Sequence, residues 1–174
     1  MSAGRQLRLG AFLYSLGHHA AAWRHPEVDP GNAFRFEFYL NLAKMAEAAK
    51  FDAVFFADNV GLLGGAPEAI SHGPPVYYWE PLTLLAALAT HTSRIGLVAT
   101  VSTSYMPPYH VARKFAALDQ LSGGRAAWNL VTSGTDAEAA NFGLAHQLAH
   151  AERYDRAAEH VEVVKGLWDS WDDD

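Results

Sequence analysis

Four short apolar runs, at residues 7–14, 51–57, 95–101 and 126–131, alternate with longer segments whose apolar residues recur every three to four positions. A run that is apolar on both faces suits a parallel strand covered on both sides. The run at 51–57 ends abruptly at Asp58-Asn59. Between the first two runs, Phe38, Leu42, Met45 and Ala49 fall at i, i+4, i+7 and i+11, which predicts one buried stripe on an amphipathic helix. The last segment, 151–171, sets Tyr154, Ala158, Val161, Val164 and Trp168 on one face in the same way. The order β-α-β-α-β-α-β-α calls for parallel strands joined by right-handed crossovers. A small doubly wound sheet and the first half of a (β/α)8 barrel both satisfy it, and periodicity does not choose between them.

Local signals punctuate the same order. Pro81 sits where a helix begins and its missing N–H costs nothing, and Pro107-Pro108 opens the next helix. Gly123-Gly124 closes that helix, since glycine tolerates the left-handed position after a last turn. Gly64-Gly65 reads as a pair of turn glycines. Thr135 and Glu138 have capping-box spacing. Residues 17–31 and 61–78 read as loops. No linker-like composition shift, low-complexity tract or internal repeat divides the chain, so residues 1–174 are expected to form one (β/α) domain. That length falls below the roughly 250 residues of a complete barrel.

Composition removes several function classes. Thirteen Lys and Arg stand against 19 Asp and Glu, for a net charge of −6. The longest basic run is Arg113-Lys114, too little for a surface that releases counterions from nucleic acid. With no cysteine, there is no disulfide framework and no thiolate nucleophile, which suits a cytoplasmic protein. No apolar run approaches the ~20 residues of a membrane span. Arg5 and Arg8, the apolar stretch 9–16 and Ala20-Ala21-Ala22 imitate a signal peptide. His18-His19 interrupts that pattern, and the alternation of Leu7, Leu9, Ala11 and Leu13 favours a first strand.

Chemistry is expected at the carboxyl ends of the strands, where ligand sites of α/β folds form. There the chain places Ser15 and His18-His19, then Asp58-Asn59, then Thr100 with Ser102-Thr103-Ser104, then Asn129 and Thr132-Ser133. No G-x-G-x-x-G, G-K-[ST] or G-x-S-x-G string is present, which argues against a nucleotide-binding Rossmann domain and an α/β-hydrolase. His146 and His150 are four apart, a spacing that places two imidazoles on one helix face as metal ligands, but Gln147 stands where H-E-x-x-H has glutamate. No metal is therefore assigned. His150 and Tyr154 share the same spacing at a helix start, as a hydrogen-bonding pair or as ordinary surface side chains. Trp23 and Trp79 lie in loops near the same rim and could wall a pocket or pack over it.

Several strings together resemble one family. Phe56-Ala57-Asp58-Asn59, Thr90-His91-Thr92-Ser93-Arg94-Ile95-Gly96-Leu97 and Pro107-Pro108-Tyr109-His110-Val111-Ala112-Arg113 are similar to the bacterial luciferase-like flavin monooxygenases. The block from Leu118-Asp119-Gln120-Leu121-Ser122-Gly123-Gly124-Arg125 to Trp128-Asn129-Leu130-Val131-Thr132-Ser133 narrows this, together with Glu152-Arg153-Tyr154-Asp155-Arg156. It resembles the nitrilotriacetate, dibenzothiophene-sulfone and long-chain-alkane monooxygenase branch. The resemblance implies the N-terminal half of a (β/α)8 TIM barrel. It also implies reduced FMN (FMNH2) as cofactor, O2 as co-substrate and a separate NAD(P)H-dependent flavin reductase as partner. One oxygen atom would enter a small organic substrate, and the protein would orient the cofactor and exclude water.

Matched position by position, Asp58 corresponds to the family's acidic flavin contact and Thr100 to a hydroxyl near the isoalloxazine. His150 and Tyr154 correspond to the pair that reaches the ribityl and phosphate side. Asn129 is a further rim candidate, and His18, His19, Tyr77 and Trp79 are candidates for the substrate pocket. No residue is assigned as a catalytic base. The family's remaining strands and its serine-bearing phosphate loop would lie beyond Asp174, so the chain is expected to be an N-terminal portion with open sheet edges. Such edges favour association into a homo-oligomer. Two readings of different class follow: an FMN-dependent monooxygenase present as a fragment, and a catalytically silent, self-associating α/β module. A deazaflavin-type oxidoreductase is a third, which Asp58, His150 and Tyr154 disfavour.

Overall fold

The computed structural model describes residues 6–19, 21–62, 67–74 and 79–170. Tyr77, Gly64-Gly65, Arg5 and Ala20 therefore lie outside the described residues. The elements are β1 (Gly10–Phe12), α1 (Phe36–Ala48), β2 (Ala53–Phe56), α2 (Pro67–Ser71), α3 (Pro81–Ala89), β3 (Gly96–Ser102), α4 (Pro108–Ser122), β4 (Ala126–Val131), α5 (Asp136–Ala140) and α6 (His150–Trp168). Two short 3-10 turns, Ala22–Arg24 and Pro30–Phe34, occupy the first loop.

The four strands form one sheet in the order β1-β2-β3-β4, and every neighbouring pair is parallel. Chain order equals spatial order. A doubly wound sheet reverses its order at a switch point, so this sheet is of the barrel kind. One face carries the core: Val54 and Phe56 of β2 and Leu97, Ala99 and Val101 of β3 pack under Ala43, Leu85, Leu88, Val111, Phe115 and Val164 of the helices. On the opposite face the ring of Phe12 meets that of Phe55, 4.7 Å between centroids, and Phe12 remains 41 % exposed.

The punctuation works as its chemistry requires. Pro81 is the first residue of α3, and the Glu80 carboxylate accepts from the backbone N–H groups of Leu82 (3.1 Å) and Thr83 (2.7 Å). Gly123 closes α4 at φ 70°, a left-handed conformation. Thr135 and Glu138 form a reciprocal capping box at the start of α5.

Four expectations need correction. The first strand is only Gly10–Phe12, and Leu7 is 88 % exposed. The buried stripe of α1 is Tyr39, Ala43 and Ala46, one residue round from the Phe38, Leu42, Met45 stripe, and Met45 is 65 % exposed. Of the stripe expected on α6, Val164 is buried as expected, but Tyr154 is 56 % exposed, and Ala157 and His160 take the other buried places. In both helices small alanines take buried places: Ala43 is fully buried and Ala46 and Ala157 nearly so. Lastly, α6 starts at His150, so His146 lies in the preceding loop and the two imidazoles do not share a helix face.

Candidate functional site

Residues just past the strands' carboxyl ends converge on one open cleft of about 420 Å3. Asp58, two residues beyond β2, and Thr100 and Ser102 of β3 line it with Tyr105, Met106 and Phe142. The remaining walls include Glu80 before α3 and His110 and Lys114 of α4. The volume falls in the range of about 300–1,000 Å3 usual for small-molecule sites.

Asp58 is the electrostatically unusual member. Burial pushes its carboxyl up from 3.8 to about 6, and the nearby Glu80 and Glu138 carboxylates push in the same direction. Thr100 is buried. Its hydroxyl donates to the carbonyl oxygen of Phe56 (2.8 Å) and accepts from the side-chain amide of Asn129 (2.9 Å). Ser133, which follows β4 with φ 57°, donates from its hydroxyl to that of Ser102 (2.8 Å).

A carboxylate beneath the next loop holds this end of the sheet in shape. Glu138 accepts from the backbone N–H of Gly134 (2.9 Å) and Thr135 (3.0 Å) and from the Thr135 hydroxyl (3.1 Å). Burial works to raise its pKa, but these donors outweigh burial and leave it below the usual glutamate range. From α6, the Arg153 guanidinium donates to the carbonyl oxygen of Ser133, and its Nε is buried without an acceptor among the described residues.

The aromatic wall is a stacked pair. The Tyr105 and Phe142 rings are parallel within 2° with centroids 4.3 Å apart, and Gln147 donates to the Tyr105 hydroxyl oxygen (2.6 Å). Burial raises the Tyr105 pKa, with a smaller push from Glu138.

The structure brings Asp58 and Thr100 into one cleft. His150 and Tyr154 touch each other, ring centroids 4.7 Å apart, at the start of α6 and are not among the residues lining that cleft. His146 approaches Asp136 at 3.3 Å, and no group of three or more metal-ligating side chains occurs among the described residues. His18 packs against Phe12 and Tyr14, and the Trp79 indole donates to the carbonyl oxygen of Ala33 (2.9 Å), so Trp79 packs over the core instead of facing the cleft. Tyr105 and Phe142 carry no motif that singles them out, and Arg153 lies in a string that bears the resemblance but was given no role of its own. Glu138 was legible as a cap but not as a neighbour of Asp58.

The family of luciferase-like monooxygenases matches residues 11–173. The N-acetyl-S-(2-succino)cysteine monooxygenase of Bacillus subtilis (strain 168) is 48 % identical over 99 % of this chain and 38 % of its own length. Nitrilotriacetate monooxygenase component A of Aminobacter aminovorans is 42 % identical over 99 % of this chain and 40 % of its own. Among solved structures, a riboflavin lyase with modified FMN and substrate riboflavin superposes with a TM-score of 0.83. It is 37 % identical, and the match covers 94 % of this chain and 38 % of that one. The chain thus spans about two-fifths of the length of the relatives it matches.

Proposed function

The chain belongs to the luciferase-like monooxygenase family, and from this we propose that it is part of an FMN-dependent, two-component monooxygenase acting on a small organic substrate. The carrying observation is the cleft that a half-buried carboxyl, Asp58, and a buried hydroxyl, Thr100, line together with a stacked aromatic pair. The residues suit a flavin. Asp58 and Thr100 would lie on the isoalloxazine side, and His150 and Tyr154 on the ribityl and phosphate side. The buried Arg153 Nε, one residue before Tyr154, is an N–H donor on a cation, which suits a nearby anionic group.

Reduced FMN, when bound, would supply the activation of O2 by which one oxygen atom enters the substrate. The protein's own part is narrower. Tyr105, Met106 and Phe142 give the cleft an apolar lining against which a planar ring could pack. Asp58 keeps a proton on its carboxyl up to about pH 6, higher than an exposed aspartate would. On this reading residues 1–174 form one luciferase-like (β/α) domain. The word component in a relative's name supports a separate NAD(P)H-dependent flavin reductase as partner. No helix among the described residues is long and apolar enough to cross a membrane.

Titrating the purified 174-residue chain with FMN and FMNH2, followed by fluorescence quenching, tests this reading. Saturable quenching is expected, and absence of binding at high micromolar flavin overturns it for this chain. A second reading, the silent module that self-associates as a homo-oligomer, draws on exposed Phe12 and the outer strands β1 and β4. A solution mass clearly above 19.0 kDa without flavin binding would select it.

A further inference from the structure

Gln147 joins three parts of the chain at one point. Its backbone N–H donates to the Asp136 carboxylate at the start of α5 (2.8 Å). Its side-chain Oε1 accepts from the backbone N–H of Leu148 (2.9 Å), and its Nε2 donates to the hydroxyl oxygen of Tyr105 (2.6 Å). The Leu148 bond settles the order of the carboxamide. A backbone N–H can only donate, so the oxygen faces it and the nitrogen is left for Tyr105. Burial does little to hold this segment: along residues 141–149 every residue except Gln147 and Leu148 is exposed. The helix that follows has no side-chain cap either, since Ala149 is its N-cap residue. The bond to Tyr105 is therefore a main attachment of the entry of α6 to the cleft.

At the other end of that bond, Tyr105 lines the cleft and stacks on Phe142, which lines it too. Stacking fixes the separation of two rings but only weakly their offset, so one ring can slide or turn over the other. A hydrogen bond to the hydroxyl, at the far end of the tyrosine ring, removes that freedom. We infer that Gln147 is a positioning residue for the cleft: it holds the Tyr105 ring in place over Phe142 and ties this aromatic wall to the entry of α6. Gln147 itself is not among the residues lining the cleft, so it acts through Tyr105. The inference rests on the flavin reading above for the identity of the ligand that meets the wall, but not for the tether.

Two measurements on the 174-residue chain test it. The first is NMR without flavin, on the Tyr105 ring signals, identified by their loss in Tyr105→Phe. The face of Phe142 is expected to shift them upfield in the wild type, and Gln147→Leu to return them towards ordinary tyrosine values. Gln147→Glu is expected to keep the wild-type shifts, because the Tyr105 hydroxyl can donate to a carboxylate as readily as it accepts from an amide. Wild-type shifts in Gln147→Leu overturn the positioning role. Should the leucine variant not fold, Tyr105→Phe cuts the same bond from the other side. The Gln147 side-chain NH2 is then expected to exchange faster than in the wild type, and an unchanged rate overturns the tether. The second measurement is affinity for FMN and for lumiflavin, which has the ring system without the ribityl phosphate. Both are expected to weaken roughly three- to tenfold in Gln147→Leu and to recover in Gln147→Glu, since the wall would meet the rings they share. A loss confined to FMN, or no loss, overturns the role assigned to the wall. If the wild type binds neither flavin, the flavin reading and the ligand half of the inference fall together, and the NMR signals still decide the tether.

Discussion

A Cβ placed on Gly61 would lie 2.6 Å from the backbone nitrogen of Glu138, closer than real Cβ atoms come to backbone. The loop after β2 therefore presses directly on the start of α5, and Asn141 ties the two together by donating to the carbonyl oxygen of Val60 (2.7 Å). This contact brings Asp58 and Glu138 into one electrostatic neighbourhood although 80 positions separate them in the chain. Gly61→Ala is expected to force the loop and α5 apart and to cost about 1–3 kcal/mol, as overpacking does. Urea unfolding measures the loss, and a stability equal to wild type would contradict the contact.

Asp58 gives a pH signature of definite sign. Its carboxyl titrates near 6 in the fold, against an ordinary value of 3.8. Between these values the folded chain binds more protons than the unfolded one, so this group's contribution to stability is full below about pH 4 and declines as pH rises towards 6. Asp58→Asn is expected to abolish that decline. Relative to wild type, the variant gains stability at pH 7.5 and gains little at pH 4, read from urea midpoints at the two values. A constant difference at both pH values would show that Asp58 is not shifted.

His160 acts with the opposite sign. It is buried against Trp128 (ring centroids 5.8 Å apart), and its Nε2 lacks a partner among the described residues. Burial depresses its pKa below the ordinary 6.5, Arg156 adds to this, and the Thr103 backbone works weakly against it; Tyr105 and Glu159 line the same small pocket. The unfolded chain therefore takes up a proton first, and stability is lost as pH falls below about 6.5. His160→Phe is expected to reduce the loss measured between pH 7.5 and pH 5.5. Asp58 titrates in wild type and variant alike, so the difference between them isolates His160. Parallel pH profiles would remove His160 from the balance.

What was legible in the sequence follows from the range of the forces involved. The cap at Thr135 and Glu138, the proline at the start of α3 and the left-handed Gly123 are decided within four residues, and each appears where its chemistry puts it. The buried faces of α1 and α6 are decided by what lies opposite. Hydrophobicity pointed to Met45 and Tyr154, whereas the tertiary contacts bury Tyr39, Ala43, Ala46 and Ala157, a rotation that the helix's own pattern does not carry. The site divides along the same line. Asp58 was visible because the apolar run before it ends in an abrupt change in polarity, whereas Thr100, inside β3, was singled out by the resemblance. The Tyr105–Phe142 stack and the hydrogen bond between Thr100 and Asn129 depend on registers between distant segments, which no local pattern carries.

Arg125 shows how one side chain can hold the amino-terminal side of the sheet. Its Nε–H donates to the carbonyl oxygen of Ser122 (2.6 Å). Nη1 donates to the Thr92 hydroxyl (3.0 Å) and the Ile95 carbonyl oxygen (2.9 Å), and Nη2 to the carbonyl oxygens of Ala89 (3.0 Å) and Thr92 (3.1 Å). All five N–H donors of the guanidinium are used, and together they join the end of α3, the entry to β3 and the end of α4. The positive charge also lies at the carboxyl end of α3, where the helix dipole favours it. Lysine has three donors on a point charge and cannot reproduce the planar fork, so the carbonyls it misses stay poorly satisfied. Arg125→Lys is expected to cost about 2 kcal/mol and Arg125→Ala about 3 kcal/mol or more, by the penalty for leaving several buried acceptors unpaired. Urea denaturation of the two variants gives the values. If the lysine variant matched wild type, the charge alone would account for the role of Arg125 and the fork would be incidental.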